Sequence, residues 1–525
     1  MKKIVFVLFI MIPAILFAQW RPTDYSLGQK VLKKIIDETP VSNSITDIVV
    51  DDKGIIWLGT SRGLSKSEDN GASWTNYYNQ GDFKKEGIIA LGYNQGTIWV
   101  STGHGTEVEG SSLPEGSGLL YSNDDGKTWT KIEQPVDSPG DSSLVYGINT
   151  MRALPVTTTI QNITYDIAFT KNTVWIASFA GGLRKSTDMG QTWQRVVLPK
   201  DNLNNIKPTD QLNYSLQPVA GKFGNEGYLN HRLFSVVGID DTTIYVGTAG
   251  GINKSSDNGI SWTNFRHNNQ DKPISGNFVT ALGYDKATKS VWGATWKAED
   301  QNEFWAVSSS SNGGESWDIY LNEEKAHNFG YKYFGQTGNL TSSHVFVPTD
   351  NGIFRSSNNG ITWLSPPTIQ DDISHDYIDT KIFFAAASKT LPNGSTDIWI
   401  GSASGLAKIN ETNGFWEGKW KVVTAVLDNK KSYAFPNPFN PNTERIKIKY
   451  PVQKDGSTVS IRIFDFGMNL VRNLMLNAPR NKNDKTYDSW DGKNEQGSIV
   501  PNGVYFYRVD INDGNPLFGK IMLLK

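Results

Sequence analysis

The sequence predicts an all-β chain: a ring of repeated four-stranded units, then a small two-sheet sandwich. Three observations predict it. An eight-residue pattern, Ser-x-Asp-x-Gly-x-Ser/Thr-Trp, recurs along the chain. A strand led by Trp, Tyr or Val precedes it at a steady spacing. Composition then changes after Asp428, where short alternating strands take over. The composition agrees, with 17 Trp, 20 Tyr and 24 Phe beside 50 Gly; aromatic residues favour strands and glycines favour the turns between them.

The pattern runs Ser67 to Trp74, Ser122 to Trp129, Ser186 to Trp193 and Ser255 to Trp262. It returns with Asn in the acid's place from Ser310 to Trp317 and Ser356 to Trp363. Each copy reads as a turn between two strands. The Asp or Asn folds back onto backbone amides, and Gly supplies a positive φ. The Trp opens the next strand and has a large face to bury. Asp69, Asp124, Asp188, Asp257, Asn312 and Asn358, with Trp74, Trp129, Trp193, Trp262, Trp317 and Trp363, are therefore expected to be structural. Two copies tolerate Asn, and a catalytic or metal-binding acid would lose its charge in that exchange.

The four-strand unit begins at Ser44. Ser44 to Val50 alternates, Asp51 to Gly54 turns, Ile55 to Thr60 and Gly63 to Ser67 follow, and Trp74 to Tyr78 completes the unit. The second strand returns at Trp99, Trp175, Tyr245, Trp292, Val345 and Trp399. The seventh unit has a worn box from Asn410 to Trp416. Seven such units over residues 44–428 predict a seven-bladed β-propeller, in which each blade buries both faces against its neighbours. The boxes resemble the Asp-box repeats of sialidases, sortilin-type receptors, xyloglucan-cleaving endoglucanases and photosystem II assembly factors. The tract from Ile48 to Thr60 is similar to the propellers of two-component sensor proteins. These resemblances imply the fold firmly; function lives in sites grafted on the fold.

Residues 1–18 read as a signal peptide. Lys2 and Lys3 precede an apolar run from Ile4 to Phe17, and Ala18 suits the residue before a cleavage site, although Leu16 is larger than usual two places earlier. Sec export to the periplasm is expected, and no later apolar run is long enough for a transmembrane helix. Residues 19–43 form an N-terminal segment, in which Tyr25 to Thr39 has helical spacing.

Residues 432–525 enter through Pro436-Asn437-Pro438-Phe439-Asn440-Pro441. Short strands follow, and the reading is an Ig-like β-sandwich. With the Asp465-Phe466-Gly467 strand end and the Gly503-Val504-Tyr505 strand, this segment resembles the C-terminal sorting domain of type IX secretion substrates. It equally resembles the Ig-like domain of flagellar hook-capping proteins. The resemblance implies delivery to the exterior or outer surface of a Gram-negative bacterium of the Bacteroidetes–Chlorobi type, with the type IX machinery as partner. The ring is complete by about Ala425, so the sandwich is expected to add little to its stability.

Fifty-one basic and 53 acidic residues give a net charge of −2. No basic field is present to hold nucleic acid. There is no Cys, which excludes disulfides and thiolate metal sites. No cofactor and no metal site are expected. The long additions, Gly103 to Ser117, Glu133 to Asn162, Pro199 to His231, Lys297 to Phe304 and Asn322 to Gly330, are all expected on the face opposite the boxes, and long loops tend to carry function. Candidate binding residues there are His104, Arg152, Tyr214, His231, Arg232, Trp296, Trp305, His327 and His375. Around them stand Glu107, Glu109, Tyr146, Asp210, Tyr228, Glu299, Asp300 and Asp376. Aromatics mixed with charges suit an extracellular glycan or protein ligand. No catalytic residue is assigned. A sialidase needs an arginine triad and an Arg-Ile-Pro motif, whose faint echo here is Arg152-Ala153-Leu154-Pro155, after the second box. A binding scaffold is the first reading and a surface glycoside hydrolase the alternative.

Overall fold

The computed structural model describes residues 39–218, 228–298, 302–336, 338–373, 376–425, 432–481, 487–512 and 514–525. The signal peptide, the helical spacing up to Glu38, Glu299, Asp300 and His375 lie outside them. The described chain is almost entirely β, and its fold is that of a propeller.

Seven antiparallel sheets follow one another in chain order. The first contains Ile45–Val50, Ile56–Thr60, Gly63–Ser67 and Thr75–Tyr77; the seventh contains Phe383–Thr390, Thr396–Ser402, Gly405–Gly414 and Glu417–Val423. The second strands are buried along their whole central length, as expected where neighbours cover both faces. The sixth sheet has three strands, and only an isolated bridge from Arg355 to Leu364 stands in for its fourth. The fourth sheet gains a fifth strand, Asn205–Ile206, on its outer edge.

The boxes explain how sheets join. In the third sheet the Asp188 carboxylate accepts the Thr192 amide at 2.9 Å and its hydroxyl at 2.5 Å. Ser186 donates to Asp188 and accepts the Gly190 amide at 2.7 Å. Two successive residues, Met189 and Gly190, take φ of 59° and 82°. Such a turn brings the box glycine flat against the sheet before it. A Cβ on Gly259 would stand 2.6 Å from Trp175, and one on Gly126 2.9 Å from Trp57. Gly71 meets Trp399 in the same way, at 2.4 Å, so the first sheet locks onto the seventh as the second to sixth sheets lock onto their predecessors. Trp74 and Trp399 pack edge to face, Asn70 donates to Asp397 at 2.6 Å, and Ala425 N–H donates to Asn43 at 2.6 Å. The ring is closed by the repeat's own chemistry.

In four of the sheets a lysine on the third strand adds a second tie. Lys66 donates to the Asp125 carbonyl, Lys185 to Asn258, Lys254 to Gly313 and Lys408 to Asn70, each a carbonyl in the next sheet's box. The same ammonium groups lie 5.0–5.7 Å over the aromatic ring of their own second strand. Where the seventh box is worn, Arg355 takes the lysine's place and pairs with Glu411.

The C-terminal residues form two facing sheets. One holds Tyr433–Phe435, Ile446–Lys449 and Tyr487–Trp490. The other holds Leu470–Arg480, Ser457–Phe464, Gly503–Ile511 and Leu517–Leu523. Ile446, Ile448 and Trp490 of the first meet Val459, Ile461, Tyr507 and Ile521 of the second in one core. The Pro-Asn-Pro-Phe entry is stitched along the last strand. Asn437 donates to the Lys520 carbonyl and accepts the Met522 amide, both at 2.8 Å, and Phe439 continues the pairing. A side-chain amide thus covers an edge that would otherwise be open.

Candidate functional site

In a propeller the inner strand of each sheet starts on the face that also carries the turns between second and third strands. In six of the seven sheets that inner strand bulges near its start, which sets Thr46, Ile89, Tyr165, Phe234, Thr280 and Phe384 out of register. A bulge re-aims a side chain. The aromatic members join into a continuous run on this face: Tyr165 to Phe234 at 5.7 Å, Phe234 to Phe278 at 4.6 Å, Phe278 to Trp296 at 6.2 Å, Trp296 to His327 at 5.8 Å, and His327 to Phe384 at 5.4 Å. The run crosses the third to the seventh sheets. Asn328, entering the sixth sheet, donates to Asp47 of the first at 3.3 Å and so passes over the seventh. Aromatic rings therefore line the inner end of five successive sheets on this face.

Two cations stand on aromatic faces beside the run. The Arg232 guanidinium lies 4.3 Å from the Tyr228 ring and 5.3 Å from Phe179, and donates to the Pro218 carbonyl at 2.7 Å. The Lys325 ammonium lies 4.8 Å from Trp305 and 5.8 Å from Trp296. Trp296 itself is buried, and its indole donates to the Ala326 carbonyl. His327 bonds Asp350 at 2.7 Å. Asp350 is held below the ordinary carboxylate range: burial pushes it up, and the His327 bond and charge outweigh that.

His104 occupies a different place. Gly103 to Ser117 is a β-arm, because the strands Thr97–Val108 and Ser111–Ser122 pair almost to their tip. On it His104 bonds Glu86 at 2.9 Å and Ser117 at 3.1 Å through Nδ1, with Glu115 3.5 Å from Nε2. Glu86 raises the imidazole's pKa, chiefly through that hydrogen bond. Glu115 is held down by the Thr106 and Thr159 hydroxyls. His104 ties the arm to its sheet, apart from the aromatic run.

Two insertions do not stay on the expected face. In Glu133 to Asn162 the hairpin Ser143–Tyr146/Asn149–Arg152 reaches the box side, where the Tyr146 hydroxyl donates to the Ile260 carbonyl at 2.7 Å, inside the fourth box. Ile148 N–H donates to Pro208, and Asn205–Ile206 pairs with Trp262 and Thr263. Both insertions wrap the rim because they carry their own apolar residues: Met151, Leu198, Ile206 and Leu216 pack with Trp175 and Trp262. Tyr214 and His231 belong to this satellite core. Tyr214 is buried, donates to the Leu198 carbonyl at 2.9 Å and stacks on His231. His231 and Arg195 line a small cavity of about 20 Å³, room for one water molecule. Arg152 is exposed on the hairpin. Of the candidate residues, Arg232, Trp296, Trp305 and His327 come together; His104, Arg152, Tyr214 and His231 do not join them. The sequence reading missed Phe179, Phe234, Phe278 and Phe384, which look like ordinary core positions until the bulges turn three sheets' rings to one centre.

The arginines Arg184 and Arg195 are held by Asp137, and Arg355 by Glu411. Among the described residues no group of three His, Asp or Glu is placed to hold a metal, and no helix is long and apolar enough to cross a membrane.

Comparison with known proteins supports the fold. Residues 39–62 match the family of two-component regulator propellers. The xyloglucanase Xgh74A of Acetivibrio thermocellus is 22% identical over 229 residues, which is 43% of this chain and 20% of that protein, so the chain spans a fifth of that relative. An ancestral GH74 enzyme superposes with a TM-score of 0.51 at 14% identity, covering 94% of this chain and 64% of its own. PorZ, a surface component of the type IX secretion system of Porphyromonas gingivalis, has a TM-score of 0.38 at 12% identity, over 90% of this chain and 64% of its own. Strand order, closed ring and likeness to solved propellers agree: this chain has a β-propeller fold.

Proposed function

We propose that this chain is an exported recognition module. Its seven sheets form a seven-bladed propeller that presents the face around Trp305, Lys325, Tyr228 and Arg232 to an extracellular glycan or protein ligand. The C-terminal sandwich, read as Ig-like, delivers it through type IX secretion to the outer surface or the medium. The observation that carries the binding role is the aromatic run with Arg232 and Lys325 on the ring faces beside it. Hydrolysis of a glycoside needs two carboxyl groups facing each other across open space. Along the run the facing groups are aromatic rings, and Glu86 and Glu115 on the β-arm have His104 between them. Aromatic faces with neighbouring cations suit stacking on sugar rings and pairing with an acidic group.

The test is titration of the mature chain against a panel of neutral and acidic oligosaccharides. Trp305→Ala and Arg232→Ala should each weaken the ligand found at least tenfold while melting as wild type does. Binding that survives both substitutions would remove the site from this face. The second reading, a surface glycoside hydrolase, draws on the xyloglucanase likeness. Reducing-sugar release from xyloglucan by the purified chain would replace the binding role with that one.

A further inference from the structure

The C-terminal sandwich lies against the seventh sheet and the segment before it, and its three-stranded sheet makes the contact. Lys447 is fully buried there and donates to the Tyr377 carbonyl at 2.5 Å. Lys449 donates to Thr424 at 3.2 Å, and the Tyr433 hydroxyl to the Ala425 carbonyl. Between these ties sits an acid. Glu444 is 9% exposed, bridges in backbone to Thr380, accepts the Thr380 hydroxyl at 3.0 Å with one oxygen and the Asn440 amide at 3.0 Å with the other. The charges that act on it from the propeller side are Asp379, next to Thr380, and Asp350, which His327 holds. On its own side Arg445 is exposed and Lys447 is committed to Tyr377.

A carboxylate buried at an interface among other acids resists ionisation. We propose that docking of the C-terminal sandwich on the propeller is gated by protonation of Glu444, closed when the carboxyl is neutral and loosened when it ionises. Burial pushes this carboxyl from 4.5 up to about 7, outweighing the Asn440 and Thr380 hydrogen bonds that favour the anion, with Asp379 and Asp350 adding to the rise. When the interface opens, the group returns to its ordinary value. The docked form therefore holds the extra proton between those two values. The contribution to docking is full below about 4.5, falls as pH rises towards about 7, and is flat above. In acid the two units move as one; at neutral pH and above the sandwich is freer to present the sheet that carries Lys447, Lys449 and Tyr487.

Hydrogen exchange on the mature chain tests this. Protection of 377–380 and 444–449 is divided by that of the buried strand 244–248 in the same sample, which cancels the intrinsic pH dependence of exchange. The wild-type ratio should fall on the order of a hundredfold between about pH 4.5 and pH 7.5. Glu444→Gln can still accept from Asn440 and reach Thr380, so its ratio should stay flat. A constant wild-type ratio would overturn the proposal on its own. So would a Glu444→Gln ratio that falls as the wild type's does, since another group would then set the change.

Discussion

At the scale of single residues, the box acid is a hydrogen-bond acceptor. Asp188 is held down at about 2 by the Thr192 hydroxyl first and the Thr192 amide second. Asp69 also lies at about 2: burial pushes it up, and the Ser73 hydroxyl and amide outweigh this. Both have a native pKa below the unfolded value of about 3.9. Their contribution is present above that value and is lost as pH falls through about 2. In the Asn copies one hydrogen bond reverses. Asn312 Nδ2 donates to Ser316, and Asn358 Nδ2 to Thr362, both at 2.9 Å, while their oxygens still accept the backbone amides. This is why the repeat tolerates the exchange. Asp188→Asn should accordingly melt near wild type at neutral pH and show a shallower fall in melting temperature between about pH 4 and pH 2. Asp188→Ala, which loses all three side-chain hydrogen bonds, should melt lower at every pH. A wild-type acid profile in Asp188→Asn would show that the carboxylate's charge plays no part.

At the scale of elements, the boxes act between sheets more than within them. Alanine at Gly71 would need a φ of 82° and would press its Cβ into Trp399. Strain and overpacking together should cost about 3 kcal/mol in guanidinium unfolding. Because that contact joins the first sheet to the seventh, the same loss at Gly259 would show that the closure is as strong as an internal seam. Lys254→Met removes one carbonyl bond at 3.1 Å and one cation–ring contact at 5.6 Å, and should cost about 1 kcal/mol. Trp129 is half-buried and packs edge-on against Trp57 and Phe83; Trp129→Ala should cost about 3 kcal/mol. The turns and second strands were legible in the sequence because their residue types are dictated by φ and burial. The third-strand lysine recurs in four sheets, at Lys66, Lys185, Lys254 and Lys408, yet its partner lies 59 to 338 residues away, so its meaning appears only once the ring is built. The rim-wrapping hairpin was illegible for a related reason. Insert length predicts a loop, whereas Tyr146 and Met151 bury themselves with Trp175 and Trp262 and so fix the hairpin on the rim.

At the scale of the whole molecule, two units share a chain and an interface. Beyond the composition change after Asp428 the chain has a core of its own, since the cluster around Ile461 and Trp490 contains no propeller residue. It does not reveal that Lys447 and Glu444 are buried against the segment ending at Thr380. Deleting 432–525 should therefore leave a folded ring, because Gly71, Asn70 and Asn43 close it without help from beyond Ala425. The melting temperature should nevertheless drop by a few degrees, as Ile378 and Tyr377 lose their cover. If the sandwich also carries the export address, the truncated ring in its native host should accumulate in the periplasm. The converse test separates address from fold. Residues 432–525 fused behind a signal peptide and an unrelated stable domain should carry that domain out of the cell, since the sandwich has its own core and its last strand is already capped by Asn437. A truncated ring that still reached the medium at the full-length level, with a fusion that stayed behind, would leave the sandwich as a docking partner of the propeller alone.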